Sequence, residues 1–321
     1  VALRRAQAKQ PLSFRSLQEA VAAAHDGDRI VVQLGHHNCA GSTVEVDKRV
    51  LIRGEGRLGD TTVEQRSNSP LMRLSAPAVL QNLVLDLCGF RECLLVEGDA
   101  RVTPLLEGCT VRCSGDHGVV VSGCAAPTLR GMDVQAQKAG LLTLREARPL
   151  LLRCKLGDCG AQGLRACDRS WPQLEACTLS GNKGEGCVAM DAASVQLSGC
   201  TLSGNEGPGV DVSGGAHAAL QDCQLAGNQG GVFLWDAATA RMEGCRLSGG
   251  QRHALLADAR TRCVADRCVL EGDVLAVHEA AVAGMHAAGR DNRVLPGTQR
   301  AMLPPEAGCF KFEADRYTRK Q

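Results

Sequence analysis

Apolar positions return along this chain on a fixed beat. The unit apolar-x-x-apolar-x-apolar appears as Leu106-Glu-Gly-Cys-Thr-Val111, Leu129-Arg-Gly-Met-Asp-Val134, Leu174-Glu-Ala-Cys-Thr-Leu179, Leu197-Ser-Gly-Cys-Thr-Leu202 and Leu220-Gln-Asp-Cys-Gln-Leu225. A short polar segment follows, such as Ser180-Gly-Asn182, Ser203-Gly-Asn205 or Ala226-Gly-Asn228. Then comes a second apolar run: Gly118-Val-Val-Val121, Gly186-Cys-Val-Ala-Met190, Gly209-Val-Asp-Val212 or Gly231-Val-Phe-Leu-Trp235. These runs are short and alternate with a period near two, which predicts strands separated by turns.

Two ladders measure the period. Cys154, Cys177, Cys200, Cys223, Cys245 and Cys268 are 22 or 23 residues apart, and so are Gly118, Gly140, Gly163, Gly186, Gly209 and Gly231. No helix of ordinary length fits in so short a repeat. A leucine-rich repeat would need a longer leucine set and an Asn inside the strand, whereas Asn182, Asn205 and Asn228 sit in the turns. The expected fold is therefore all-β: a right-handed, single-stranded parallel β-helix of about ten or eleven coils, with two or three strands per coil. At roughly 4.8 Å per coil it would be roughly 50 Å long. Cys109 joins the cysteine ladder as an inward residue, since a free cysteine packs as a small hydrophobe. The ladder glycines are expected to permit sharp bends. The turn asparagines are expected to tolerate left-handed backbone and to bond amide to amide between coils.

The ends differ from the middle. Ser16-Leu-Gln-Glu19 reads as a capping box, and Ala20, Val21 and Ala24 share one apolar face, so a capping helix is expected over 16–25. Such a helix covers a sheet edge that would otherwise recruit another chain. Asp28–Leu34 reads as the first strand, with Val44–Val46, Val50–Ile52 and Leu80–Leu85 as early strands of less regular coils. The repeat decays after about Ala280. The organisation is then an extension over 1–15, a β-helix over 16–280 and an irregular cap and tail over 281–321. Val1 rather than Met opens the sequence, which implies processing or trimming; the short basic stretch Val1–Gln10 reads as a targeting remnant or a linker.

Charge narrows the partners. Lys+Arg is 36 against Asp+Glu 35, so nothing points to nucleic acid, and no apolar run approaches a membrane span. Most of the 17 cysteines fall at in-register packing positions or, like Cys88, Cys93, Cys113 and Cys159, beside turns. That placement favours reduced thiols and hence a reducing compartment: cytosol, nucleus, or an organelle matrix or stroma.

Ser16-Leu-Gln-Glu-Ala-Val21, Asp26-Gly-Asp28, Ile30-Val-Val32 and Val50-Leu-Ile-Arg-Gly-Glu-Gly56 resemble the opening of right-handed, pectin-lyase-like β-helix proteins. The similarity is to the carbohydrate-binding/sugar-hydrolase repeat group found in periplasmic copper-maturation proteins, F-box proteins and the SHC-binding spindle-associated protein. The repeats over Leu105–Leu270 match that group's short coil. Where the group has Gly-x-Tyr, this chain has Gly35-His36-His37, and it carries no F-box stretch. The resemblance implies a fold; the fold itself hosts lyases, hydrolases, epimerases, phage spikes and adaptors.

Candidate chemistry is sparse. Pectin-cleaving hydrolases of this fold resemble Asn-Thr-Asp, Asp-Asp, Gly-His-Gly and Arg-Ile-Lys in successive coils, and of these only the fragment Asp116-His117-Gly118 is approached. Asp191, Asp211, Asp236 and Asp258 recur, but Asp211 lies within its run while Asp191 and Asp236 follow theirs, so no paired carboxylate and no calcium site is expected. Aromatic residues are 2% of the chain, and Trp171, Trp235, Phe233 and Tyr317 read as scattered rather than stacked for sugar. His36, His37 and Cys39 suit a metal but lack a fourth ligand, and a polar loop is the alternative. No catalytic residue and no cofactor is assigned. The reading that results is a non-enzymatic scaffold for protein–protein interaction, a subunit or adaptor of a larger assembly, with Trp171 and Phe310 as aromatic anchors. The alternatives are a carbohydrate-active enzyme or polysaccharide-binding module, and a substrate-recognition module linked to an F-box-type ubiquitin ligase.

Overall fold

The computed structural model describes residues 1–5, 11–248, 250, 253–258, 260–271, 273–276, 293–294 and 300–302. They form a right-handed parallel β-helix. Each coil contributes one strand to each of three sheets, named A, B and C in chain order. Sheet A runs up to Arg262–Asp266, sheet B from Gly35–Asn38 to Arg293–Val294, and sheet C from Val44–Val46 to Arg300–Met302. Consecutive coils are in register: Thr178 pairs with Thr201 and Leu179 with Leu202 in sheet B, for example. Inward rows such as Leu156, Leu179, Leu202 and Leu225 are buried, so the core is a set of stacked copies of one residue position.

The helix spans Leu17–Ala23, with Ser16 as N-cap accepting from the Glu19 amide at 3.2 Å. Leu17, Ala20 and Val21 are its buried face. Ahead of it, Ala2–Arg4 pairs antiparallel with Arg29–Val32, and Leu12–Ser13 pairs antiparallel with Ala2–Arg4. Ala2–Arg4 and Leu12–Ser13 thus extend sheet A beyond the first coil. Gly35–Asn38 is a strand of sheet B rather than a polar loop. The run Leu80–Leu85 divides into two strands, Val79–Gln81 and Val84–Leu87, because Asn82 between them is left-handed (φ 55°).

That break at Asn82 recurs in each later coil up to Arg267 and shows where the bends are made. Gly108, Gly131, Arg153, Ala176, Gly199, Asp222, Gly244 and Arg267 all have φ between 51° and 63°, and each stands immediately before the ladder position. The ladder cysteines, from Cys109 and Cys154 to Cys268, are therefore buried corner residues between sheets A and B. Their thiols donate back to carbonyls of the previous coil, Cys177 to Leu151 at 3.5 Å and Cys223 to Leu197 at 3.4 Å.

The ladder glycines have a different use from the one expected. None of Gly118, Gly140, Gly163, Gly186, Gly209 and Gly231 is left-handed. A Cβ on Gly163 would lie 2.7 Å from the Gly186 carbonyl oxygen, and one on Gly231 would lie 2.1 Å from that of Ala254. These glycines permit close approach of successive coils, not bends. The asparagines also differ in part from expectation: left-handed backbone belongs to Gly181, Gly204 and Gly227 just before them. Asn182, Asn205 and Asn228 are buried and form the expected coil-to-coil chain, Asn182 Nδ2 to Asn205 Oδ1 at 2.9 Å and Asn205 Nδ2 to Asn228 Oδ1 at 2.7 Å.

All sixteen cysteines among the described residues are free, and only Cys88 and Cys124 are exposed. Burial pushes the Cys109 and Cys159 thiols up to about 11 and Cys263 to about 12. Brief alkylation of the native chain at pH 8 is expected to label Cys88 and Cys124 and to spare these three, with peptide mass spectrometry as the readout. Labelling of the ladder at the same rate would contradict this packing.

Candidate functional site

The expected partner anchor, Trp171, stands at a corner before sheet A. It is 38% exposed, and the Arg148 guanidinium lies over its ring at 6.0 Å. Pro172 after it continues a row of buried prolines, Pro104, Pro127 and Pro149, each at the entry to a strand of sheet A where its missing N–H is tolerated. Phe310 and Tyr317 lie outside the described residues.

The recurring aspartates divide by position. Asp168, Asp191 and Asp236 are left-handed turn residues after sheet C. Asp168 accepts the Arg145 amide at 2.7 Å, and Asp191 accepts the Asp168 amide at 3.1 Å, so these carboxylates hold turn backbone. They line a shallow hollow of about 790 Å³ with Cys124, Glu146 and Arg169, where Arg169 and Glu146 pair at 2.6 Å. Asp258 sits at the same corner, its carbonyl accepting from Thr261. Asp116 pairs with Lys138 at 3.2 Å and His117 at 3.3 Å, and burial holds the His117 imidazole below its ordinary value. His36 meets Glu64 at 3.2 Å, while Cys39 is buried beside the helix, with Gln18 bonded to its carbonyl. Among the described residues no group of three ligand-type side chains could hold a metal ion.

Asp211 is the exception. It faces outward in the strand Pro208–Val212 of sheet C, in one row with Leu95, Val120, Leu142, Arg165, Val188, Phe233 and Leu256. Leu95, Val120, Val188 and Phe233 in that row are buried, at 6–7%. Arg165, Asp211 and the flanking Glu185, Met190 and Trp235 are half-buried and make up the accessible patch. Desolvation pushes the Asp211 carboxyl up to about 7; the charge of Glu185 adds to this and a hydrogen bond from Trp235 opposes it. Gln162 donates to Glu185 at 3.0 Å. Arg165 reaches Met190 Sδ at 3.6 Å, and its Nε is buried without a hydrogen-bond partner among the described residues.

One expectation is corrected here. Phe233 and Trp235 are not scattered: they share this face edge to face, with ring centroids 6.2 Å apart. The charge of Glu185 also acts on Asp211. Glu185 was missed because it belongs to a different turn position, yet a signal existed: His117, Gln162 and Glu185 each stand one residue before a ladder glycine.

The acidity of Asp211 gives a signed prediction. A carboxyl raised from 3.8 to about 7 costs the fold stability as pH rises through that window, since only the folded state resists ionisation. Asp211→Asn cannot ionise and keeps an acceptor for Trp235. After discounting for partial exposure, it is expected to be about 2 kcal/mol more stable than the wild type at pH 8, with the difference gone below pH 4. Thermal melts across that range provide the check.

Residues 86–225 and 168–290 match the family model described as the right handed beta helix region. No curated protein matches the chain by sequence. Similar solved structures include tailspike protein 2 of Escherichia coli O157:H7 bacteriophage CAB120 (10% identity, TM-score 0.64, covering 86% of this chain and 43% of that one). Geobacillus virus E2 ORF18 is similar at 13% identity and TM-score 0.62, covering 78% of this chain and 57% of that one. The mannuronan C-5 epimerase AlgE4 A-module of Azotobacter vinelandii is similar at 14% identity and TM-score 0.55, covering 88% and 93%. The chain thus spans less than two thirds of either viral protein. At these identities the likeness is one of fold. No helix among the described residues is long and apolar enough to cross a membrane.

Proposed function

The chain belongs to the right-handed β-helix family, and we propose that it serves as a non-enzymatic scaffold, a subunit or adaptor that docks another polypeptide on the outer face of sheet C. The observation that carries this is the patch of Arg165, Glu185, Met190, Asp211 and Trp235: mixed in charge, amphipathic, and set on a flat sheet. Among the described residues the turns flanking sheet C between Gly118 and Leu234 are short, so no long loop rises there to enclose a reacting centre. Aromatic residues beside unlike charges are the composition of interface hot spots. A substrate-recognition role beside an F-box-type partner would use the same surface. The free, buried thiols fit a reducing compartment, which belongs to the same proposal.

The second reading is polysaccharide binding or processing, favoured by Asp211 and Glu185 lying beside Phe233 and Trp235. One experiment separates the two. A photo-cross-linking residue at Met190 is expected to capture one polypeptide in native extract, and Trp235→Ala is expected to abolish the capture. Cleavage, epimerisation or saturable binding of an oligosaccharide, lost in Asp211→Asn, would replace the scaffold reading with the second one.

A further inference from the structure

We propose that the stretch Arg165–Val188–Asp211 is a bipolar docking site: it takes a polypeptide segment that places an acidic side chain on Arg165 and a basic side chain between Asp211 and Glu185. This rests on the scaffold reading and names the chemistry of its partner.

Arg165 pairs with Val188, and Val188 with Asp211, so the two charged residues stand two coils apart on one outward row, roughly 10 Å at the strand spacing. Farther along the same row, Arg73 is neutralised within the chain by Glu45 and Glu97. Arg165 and Asp211 take part in no such ion pair among the described residues. Among the described residues Arg165 has no carboxylate partner, and its hydrogen-bond contacts are to sulfur, the Met190 thioether and the Cys167 thiol, both weak acceptors. Glu185 and Asp211 receive neutral donors, Gln162 and Trp235, and no cation.

The missing partners have opposite signs at the two ends. A guanidinium with a buried, unpartnered Nε asks for a carboxylate, which accepts in the plane of its fork. A half-buried carboxylate without an ion-pair partner, on the outward row two coils from Arg165, asks for a cation, which would offset its desolvation and the charge of Glu185. Half-buried Trp235, packed edge to face on buried Phe233, adds a ring on which a guanidinium or ammonium group is favoured. Val188 between the poles is covered and apolar, so a ligand crossing it needs no charge there. A peptide in the polyproline II conformation advances roughly 3.1 Å per residue with three residues per turn, so charges three residues apart fall on one side and match the spacing.

The test uses the full chain and fluorescent dodecapeptides with charges three residues apart, read by anisotropy. The mixed Arg/Glu peptide is expected to bind about tenfold more tightly than the Arg/Arg, Glu/Glu and Gln/Gln peptides. Arg165→Asp makes the patch wholly acidic and should move the preference to Arg/Arg. Asp211→Arg with Glu185→Gln makes it basic and should move the preference to Glu/Glu. Arg165→Met, which keeps the packing, should lose the mixed-peptide preference even if the charge reversals fold poorly; circular dichroism checks each variant. An unchanged ranking across these variants overturns the bipolar site, and if binding still depends on Trp235 the scaffold reading survives it. Failure of all four peptides, with Arg165-dependent binding of an oligouronate, overturns both. Binding of none of these probes overturns the bipolar site alone, and the scaffold reading is then decided by the Met190 cross-link.

Discussion

Asn205→Ala is expected to remove about 4 kcal/mol of stability, the largest loss from any single side chain of the turn ladder. Its Oδ1 accepts from the Asn182 amide at 3.0 Å and from Asn182 Nδ2 at 2.9 Å. Its Nδ2 donates to the Leu179 carbonyl at 3.1 Å and to Asn228 Oδ1 at 2.7 Å. The methyl group leaves those groups short of a partner where water cannot reach, at roughly 1–3 kcal/mol each, with partial relaxation reducing the sum. Asn182→Ala should cost about half as much, because its Oδ1 accepts only the Cys159 amide, at 3.1 Å. Guanidinium unfolding gives the magnitudes, and amide exchange at Asn182 and Cys159 locates them. A stacked solenoid can open coil by coil, so the local measurement decides if the global transition is not two-state. Equal losses at Asn205 and Asn182 would mean that the amides do not act as a chain.

Gly186→Ala is the second. The new Cβ would sit 2.7 Å from the Gly209 carbonyl oxygen and 3.0 Å from Asn205 Nδ2. The first contact is with backbone and has no rotamer to escape into, so two coils must separate or the asparagine chain must give way. The expected cost is about 3 kcal/mol, at the upper end for overpacking. Gly199→Ala is the control. Its Cβ meets nothing within 4 Å, but its backbone is left-handed at φ 57°, so about 1 kcal/mol is expected from strain alone. If the two substitutions cost the same, close approach is not what the ladder glycines supply.

These predictions mark the limits of what could be read from the chain. The repeat was legible because stacking copies each inward position into the next coil, so Leu179, Leu202 and Leu225 must resemble one another. The asparagine chain was legible for the same reason, since an amide needs its own copy above it. The bend was not. Asn82, Arg153, Ala176, Asp222 and Gly244 have in common only a backbone angle, and side chains pointing to solvent leave no shared residue type. The ladder glycines were visible, but one conserved spacing serves bending and close approach equally well, and only distances between coils tell them apart.

The Asp211 patch was the least legible part. Glu185, Asp211 and Trp235 fall at offsets of 26 and 24, off the ladder's period, because they occupy different positions across the width of sheet C. The sequence by itself determined the coil, its core and its polar chain, since those depend on one residue repeating at one period. Only the tertiary structure decided which unlike residues from neighbouring coils meet on the outer face, because a surface brings together positions that no periodicity links. It is there that a carboxyl held near 7 and a guanidinium without a carboxylate partner came to lie on one row.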